Sequence, residues 1–261
     1  MSPKLEIRGL GKTFKTRSGE LKALEDVNFE IAENEFVSLV GTSGCGKSTL
    51  LNIVAGLDHP TEGGAWLDGE PITGPGRDRG MVFQSYTLLP WLNTRQNVEF
   101  ALRGEDMTRA ERRDAANQQL ELVGLSEFGD AFPSQLSGGM RQRVAIARAL
   151  SYRPEVLLMD EPFGALDALT RRVMQELLTE VWERHRLTVL FITHDVEEAI
   201  YISDRVLVMK NRPGKIKEEV EIDLPRPRDF AMISGGHFAE LSRRVLEPIH
   251  MESKQVVQAA E

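Results

Sequence analysis

Apolar positions in the first third of the chain follow the spacing of strands and one helix. Between residues 24 and 31, apolar side chains stand at nearly every second position, which is typical of a strand. The run from Glu35 to Val40 is mostly apolar and ends at Gly41, so it predicts a buried strand. Residues 47–56 then predict a helix. Two more short strands are predicted, at 65–68 and 81–84.

The middle of the chain has a different texture. Residues 94–123 are rich in Arg, Glu, Gln and Ala, which favours helices. Thr108 is suited to cap a helix that runs through Leu122, and Gly124 is suited to end it. We therefore expect a helical insertion at residues 85–152, between two α/β portions.

Strand–helix alternation returns in the last part of the chain. Strands are predicted at 155–160, 188–193 and 205–210, and helices at 168–184 and 195–202. This alternation is typical of a parallel sheet with helices on its faces. The sequence becomes loop-like from Pro225, and one more helix is predicted at 238–250.

Composition narrows the class of protein. The chain has 261 residues, of which 41% are hydrophobic and 28% charged, as in an ordinary soluble globular protein. The formal net charge of −8 does not favour a nucleic-acid partner, and we predict none. One cysteine excludes an intrachain disulfide and fits a reducing compartment. The apolar runs are of strand length, so we expect any membrane-spanning part to belong to another chain.

Residues 41–48 read GTSGCGKS, which matches the phosphate-loop pattern G-x-x-x-x-G-K-[ST] between a predicted strand and a predicted helix. Glycines let successive backbone N–H groups cradle phosphate oxygens, and the helix N-terminus adds partial positive charge. Lys47 is expected to reach the β- and γ-phosphates, Ser48 to bind Mg²⁺, and Cys45 to be a small filler. The predicted nucleotide-binding residues are Gly41, Thr42, Ser43, Gly44, Cys45, Gly46, Lys47, Ser48 and Thr49.

Two carboxylates follow the apolar run at 156–159. Ligands of open α/β sheets bind at the carboxyl ends of the strands, which is where these carboxylates lie. Asp160 is suited to hold Mg²⁺ through water, because this ion keeps much of its hydration. Glu161 is suited to polarise an attacking water. The alternative is a strand that ends in an exposed acidic loop, but the phosphate loop upstream favours the catalytic interpretation.

A Ser-Gly-Gly sequence starts a helix predicted from Ser137 to about Tyr152. Ser137 is a good N-cap, whereas Gly138 and Gly139 are poor helix formers, so propensity does not explain them. Two glycines leave the helix N-terminus bare and let a phosphate approach its N–H groups. Taken alone, the sequence also fits an ordinary capped helix with a flexible start.

The order of these motifs resembles the ATP-binding subunits of ABC transporters, over about residues 4–225. GTSGCGKST resembles the Walker A loop, LLMDE at 157–161 resembles Walker B, and LSGGM at 136–140 resembles the family signature. The signature ends in Met140 where Gln is the commonest residue.

Four further positions carry the resemblance. Gln84 in VFQ resembles the Q-loop glutamine, ALD with Asp167 resembles the D-loop, and His194 in FITHD resembles the switch histidine. Phe14 stands at the place of the aromatic residue that stacks on adenine. The resemblance implies ATP and Mg²⁺ as cofactors. It implies Glu161, His194 and Gln84 as catalytic residues, Ser48, Gln84 and Asp160 as metal ligands, and Phe14, Ser137, Gly138, Gly139 and Asp167 as further nucleotide-binding residues.

The same resemblance implies the fold and its boundaries. We expect an α/β protein with a P-loop NTPase (RecA-like) core, a mainly parallel sheet, an N-terminal antiparallel β subdomain and an inserted α-helical subdomain. The nucleotide-binding domain is expected at 1–225, with an α/β core at 1–84 and 153–225 and the helical subdomain at 85–152. A short helical extension is expected at 226–261.

The resemblance further implies a head-to-tail dimer, either a homodimer or a dimer with a paralogue. Each ATP would lie between the Walker loops of one subunit and the signature of the other. Integral membrane permease subunits, and indirectly a solute-binding protein, are the other expected partners. The expected location is the cytoplasmic face of the inner membrane, as a peripheral protein.

The segments GPGRDRGMVFQSYTLLPWL, NRPGKI and LPRPRD look most similar to importers of the nitrate, sulfonate and taurine type. Import of another small organic solute, such as a vitamin precursor, is the alternative. Two other classes fit less well, namely a soluble ABC-type ATPase acting on nucleic acid and a nucleotide-binding regulator without turnover. The first usually carries long coiled coils or two cassettes, and the second would not need both Glu161 and His194.

The apolar residues that follow Gln84 leave two interpretations open. Leu88, Leu89 and Trp91 are too apolar for a simple solvated loop. They could pack into the core of the helical insertion. They could instead line a groove that receives a short helix of a membrane subunit.

Overall fold

Strands and helices alternate along the chain largely as the apolar pattern predicts. The computed structural model describes residues 3–17, 19–211 and 213–258. The strands are β1 (Leu5–Thr16), β2 (Gly19–Ile31), β3 (Phe36–Gly41), β4 (Glu62–Leu67), β5 (Glu70–Pro71), β6 (Arg79–Val82), β7 (Val156–Asp160), β8 (Thr188–Ile192), β9 (Arg205–Lys210) and β10 (Lys215–Glu221). The α-helices are α1 (Lys47–Val54), α2 (Thr94–Ala101), α3 (Arg109–Leu122), α4 (Gly138–Leu150), α5 (Ala168–His185), α6 (Val196–Ile202) and α7 (Gly236–Gln258).

The chain divides into two compact units, one formed by residues 1–76 and 187–261 and the other by residues 77–186. In the first unit, β2, β1, β4 and β5 form an antiparallel sheet in that order. This sheet confirms the expected antiparallel β subdomain. Its strands β1 and β2 pair from Leu5 opposite Ile31 to Thr16 opposite Gly19, so they form one long hairpin.

The first unit also contains parallel pairing around β3. Strand β3 pairs in parallel with β8 on one side and with β9 on the other, and β10 pairs antiparallel with β9. All six residues of β3 are buried, as expected for a strand covered on both faces. Leu39 lies opposite Ile192 in the β3–β8 register. Gly41 lies two residues after Leu39, and His194 lies two residues after Ile192. The phosphate loop and His194 therefore both begin at the carboxyl edge of this parallel pair.

In the second unit, β6 and β7 pair in parallel, and α2, α3 and α4 pack together. The helices share a buried apolar cluster, whose members are Val98, Ala116, Leu120, Val123, Leu125, Leu136, Val144 and Ala147. Helix α3 begins with a capping box, because Thr108 and Glu111 each accept from the other's backbone N–H. Gly124 follows the helix with φ +68°, so both predicted ends are confirmed.

Three strands escaped the sequence analysis, namely β1, β10 and the two-residue strand β5. Strand β10 has the sequence KIKEEVE and buries only Val220, so its pattern is that of an exposed edge rather than of a core strand. Strand β1 is interrupted by register shifts between Ile7 and Thr13, which break its alternation. Among the described residues, no helix is long and apolar enough to cross a membrane.

Candidate functional site

The phosphate loop runs from the carboxyl end of β3 to the first turn of α1 and is held in shape by Lys47. The Lys47 ammonium donates to the carbonyl oxygen of Gly41 at 2.8 Å and to that of Thr42 at 3.2 Å. Only 6% of Lys47 is exposed, so its charge is kept inside the curl of the loop. The loop therefore presents one buried cation where phosphates are expected.

Glycine is required at the start of α1. Gly46 has φ +101°, a left-handed conformation that disfavours other residues, and a Cβ there would lie 2.6 Å from Cδ2 of Leu24. Among the described residues, no side chain caps this helix N-terminus. The Thr42 hydroxyl is also buried without a hydrogen-bond partner in the described part of the chain. These polar groups fit an anion such as phosphate.

Cys45 fills space inside the loop, as predicted. It is 1% exposed, and its Sγ lies 3.8 Å from the Lys47 ammonium. Burial raises the pKa of the thiol, although the nearby Lys47 charge opposes this effect. Cys45 is therefore a protonated thiol at neutral pH and not a reactive thiolate.

Phe14 and His194 both belong to the first unit. Phe14 lies near the end of β1, opposite Leu21 of β2, and is 37% exposed. His194 is exposed just beyond β8, and the next residue, Asp195, caps α6 by accepting from the backbone N–H of Glu198. His194 is thus placed at a strand end and beside a helix start.

The carboxyl end of β7 brings two predicted catalytic residues together. The side-chain amide of Gln84 donates to Oε2 of Glu161 at 3.2 Å. Asp160 is the last residue of β7, and Glu161 follows with φ +42°. A left-handed backbone is uncommon for a glutamate and turns the chain sharply after the strand.

Ser137 caps α4, because its Oγ accepts from the backbone N–H of Met140 at 3.3 Å. Ser137 is exposed and Gly139 is buried. A Cβ on Gly139 would lie 2.5 Å from Cγ2 of Thr170, so only glycine fits here. The glycine is therefore required by packing as well as by any ligand.

Thr170 is itself held by Asp167, the cap of α5. The carboxylate of Asp167 accepts from the Thr170 backbone N–H at 3.0 Å and from its hydroxyl at 2.7 Å. These bonds lower the pKa of Asp167, the hydroxyl bond most of all. The Ser-Gly-Gly start of α4 and the start of α5 thus share one contact through Thr170.

Comparison with known proteins identifies the family. Residues 24–164 match the family described as ABC transporter. The chain belongs to the ABC transporter family. Its fold is the P-loop ATPase cassette, and the predicted ATPase class is confirmed.

Individual relatives of this ABC protein cover most of its length. It is 51% identical over 242 residues to the nitrate import ATP-binding protein NrtD of Synechococcus elongatus, covering 91% of this chain and 88% of the relative. It is 49% identical over 232 residues to the bicarbonate transport ATP-binding protein CmpC of the same organism, covering 87% of this chain and 35% of that longer relative.

A solved cassette has the same fold. The dimeric post-hydrolysis structure of the ATP-binding cassette MJ0796 bound to ADP and Pi matches with a TM-score of 0.74 and 37% identity. The match covers 85% of this ABC protein and 100% of that chain.

Sequence reasoning missed the residues that hold the segment after Gln84 in this ABC protein. Arg148 of α4 donates to the Thr87 carbonyl at 2.7 Å and to the Thr87 hydroxyl at 2.6 Å. Arg141, also on α4, lies 5.2 Å from the ring centroid of Tyr86. Burial lowers the pKa of Arg148. A lone arginine within the apolar run VAIARAL was the available signal.

The structure separates the apolar residues that the sequence grouped together. Leu88 is partly buried and packs against the apolar cluster of the second unit, as the first interpretation predicts for it. Trp91 is 70% exposed and therefore does not belong to that core. A groove of about 250 Å³ lies nearby in the chain, lined by Leu92, Gln96, Glu99, Phe100, Arg103, Arg109 and Arg112.

Proposed function

We propose that this chain is the ATP-hydrolysing subunit of an ABC importer for a small oxyanion. The observation that carries the proposal is the 51% identity to a nitrate import subunit over 91% of this chain, together with a phosphate loop built around a buried Lys47. The bicarbonate relative supports the same solute class, because nitrate and bicarbonate are both small planar oxyanions. Sulfonates and taurine extend that class, and a vitamin precursor is the alternative solute.

Nucleotide binding is assigned first to the loop at 41–49. Lys47 would exchange its two carbonyl acceptors for the β- and γ-phosphate oxygens, which carry more charge and bind an ammonium more strongly. The N-terminus of α1 would bind the same phosphates. Phe14 would stack on adenine with the part of its ring that is exposed.

The donor set fits Mg²⁺. Ser48, Gln84 and Asp160 offer a hydroxyl, an amide oxygen and a carboxylate, all of which are oxygen donors of the kind this ion prefers. When bound, Mg²⁺ neutralises phosphate charge. No group of three or more His, Cys, Asp and Glu in the described residues could hold a metal alone, which agrees with a site completed by phosphates and water.

Hydrolysis is assigned to Glu161 and His194. Glu161 would accept a proton from the attacking water, and its contact with Gln84 keeps the carboxylate oriented before the water arrives. His194 would donate a hydrogen bond to the γ-phosphate, whose charge grows as the bond to the leaving oxygen breaks. Glu161 directly follows β7, and His194 lies two residues beyond the end of β8.

A dimer completes the proposed site. Ser137, Gly138 and Gly139 would bind the ATP held by the partner subunit, and Asp167 would position this surface through Thr170. The dimeric cassette with ADP and Pi supports this assembly. A single copy of this chain is then a poor ATPase, because no signature reaches its ATP.

Membrane permease subunits are the proposed partners, and the cytoplasmic face of the membrane is the proposed location. Trp91 and the groove at 92–112 would receive a short permease helix. We assign residues 1–225 as the nucleotide-binding domain, with helical subdomain 85–152, and residues 226–261 as a short extension. A solute-binding protein would deliver the oxyanion from the other side.

The test is transport by the purified complex. The tagged chain is isolated with the permease that accompanies it, placed in proteoliposomes with the matching solute-binding protein, and supplied with ATP. Uptake of nitrate, bicarbonate or taurine that stops with Glu161→Gln is the expected result. Uptake of uncharged organic solutes alone would show that the solute is not an oxyanion. Absence of a permease partner would overturn the transport function.

A further inference from the structure

The ring of Phe14 is covered on one face by a cation. The ammonium of Lys12 lies 4.9 Å from the centroid of this ring. The two side chains meet although the β1–β2 register shifts between Lys12 and Thr13. A cation over the face of an aromatic ring is attracted by the negative charge of that face. A planar ligand can then stack only on the opposite face.

The cation is anchored, so it does not simply drift over the ring. Lys12 Nζ donates to Oδ1 of Asp58 at 2.6 Å and to the carbonyl oxygen of His59 at 2.7 Å. Lys12 is only 9% exposed. The bond from Lys12 is the main cause that lowers the pKa of Asp58, and the backbone N–H of His59 adds to it.

These contacts tie the ring to the phosphate loop by two routes. The backbone N–H of Asp58 donates to the carbonyl oxygen of Asn52 at 3.2 Å, and Asn52 lies in α1, the helix that the phosphate loop starts. Lys12 lies opposite Leu24 in the β1–β2 hairpin. The Leu24 side chain in turn packs against Gly46 of the loop, where an added Cβ would lie 2.6 Å from Cδ2 of Leu24. The aromatic ring and the phosphate site therefore belong to one local structure.

We propose that Lys12 is a positioning residue for the purine base, acting through Phe14. It fixes the ring at a set distance from the phosphate loop and leaves one face open for the base. Its charge also withdraws electron density from that open face, which reduces the repulsion between the π-clouds of two stacked rings. This proposal rests on the proposed function of Phe14, and Asp58 keeps Lys12 in place.

The test compares a purine with a pyrimidine nucleotide on the full-length chain. Dissociation constants for ATP and CTP are measured by calorimetry for the wild type, Lys12→Met, Lys12→Arg and Phe14→Ala. Lys12→Met should weaken ATP binding roughly threefold to tenfold and CTP binding less than about twofold, since a pyrimidine has less area to stack. Lys12→Arg should restore the preference for ATP. Lys22→Met is the matched control, because Lys22 pairs with Glu25 on the exposed side of the hairpin.

The outcomes separate this inference from the proposed function. Equal losses for ATP and CTP, or no loss, in Lys12→Met would overturn the role of Lys12. Unchanged ATP binding in Phe14→Ala would instead overturn the assignment of Phe14. A variant that carries both Lys12→Met and Phe14→Ala should bind ATP no more weakly than Phe14→Ala alone, because the two residues act as one unit. If Lys12→Met does not fold, Asp58→Asn provides the second variant. It should reduce the preference for ATP over CTP, and an unchanged preference would overturn the proposal.

Discussion

The side-chain amide of Gln84 donates to the carboxylate of Glu161 across 3.2 Å, although the two residues lie 77 positions apart in the chain. Glu161 is the proposed base, and Gln84 begins the segment that Arg148 and Arg141 hold against the signature helix α4. A water or Mg²⁺ that competes for either group would alter this contact. The contact therefore links the proposed base directly to the segment that leads to Trp91.

Replacing Glu161 by Gln should abolish turnover without abolishing ATP binding. A glutamine keeps the size of the side chain but cannot accept the proton of the attacking water, so kcat should fall by roughly 10²–10⁴. Gel filtration with ATP should then show a trapped dimer. The matched control is Glu180→Gln, an exposed position of α5. Normal turnover in Glu161→Gln would show that another group is the base.

Replacing Gly139 by Ala should lower stability through a clash with Thr170, and Thr170→Ser should relieve that clash. The new Cβ would lie 2.5 Å from Cγ2 of Thr170, and such overpacking costs about 1–3 kcal/mol. Thr170→Ser removes Cγ2 but keeps the hydroxyl group that donates a hydrogen bond to Asp167. The double variant should regain most of the lost unfolding free energy in urea titrations. If it stays as unstable as Gly139→Ala, the clash with Thr170 is not the cause.

Leu88 and Trp91 should respond differently to truncation. Leu88→Ala removes packing from the apolar cluster and should cost about 1–2 kcal/mol of unfolding free energy. Trp91→Ala should leave stability nearly unchanged, since Trp91 is 70% exposed, but should weaken recovery of the permease with the tagged chain. Wild-type assembly and transport in Trp91→Ala would remove Trp91 from the proposed docking surface.

Thiol–disulfide exchange at Cys45 should be slow at neutral pH. Burial raises the pKa of this thiol above the ordinary value of 9.0, so the reactive thiolate is scarcer than in free cysteine. The rate of reaction with an aromatic disulfide should therefore keep rising with pH beyond the point where free cysteine levels off. Bound ATP should slow it further by covering the loop. A rate equal to that of free cysteine at pH 7 would contradict the burial of the thiol.

Local chemistry accounts for what sequence analysis predicted well. The capping box of Thr108 and Glu111 and the stop at Gly124 depend on neighbours within a few residues. The continuous apolar runs of β3, β7 and β8 likewise predict buried strands without reference to the rest of the chain. Strand β10 escaped prediction because an exposed edge strand has no apolar alternation to detect.

The sequence by itself determined the phosphate loop, the acidic end of β7 and the capped Ser-Gly-Gly start, because the chemistry of each is contained in a few consecutive residues. Only the tertiary structure decided that Leu88 is packed while Trp91 is exposed. It also decided that the Thr170 side chain packs against Gly139. In the same way, it placed the Lys12 ammonium over Phe14, where Asp58 holds it. These contacts join residues that are distant in the chain. The packing of whole helices and strands determines these contacts, and a local sequence pattern does not show which distant side chain will make them.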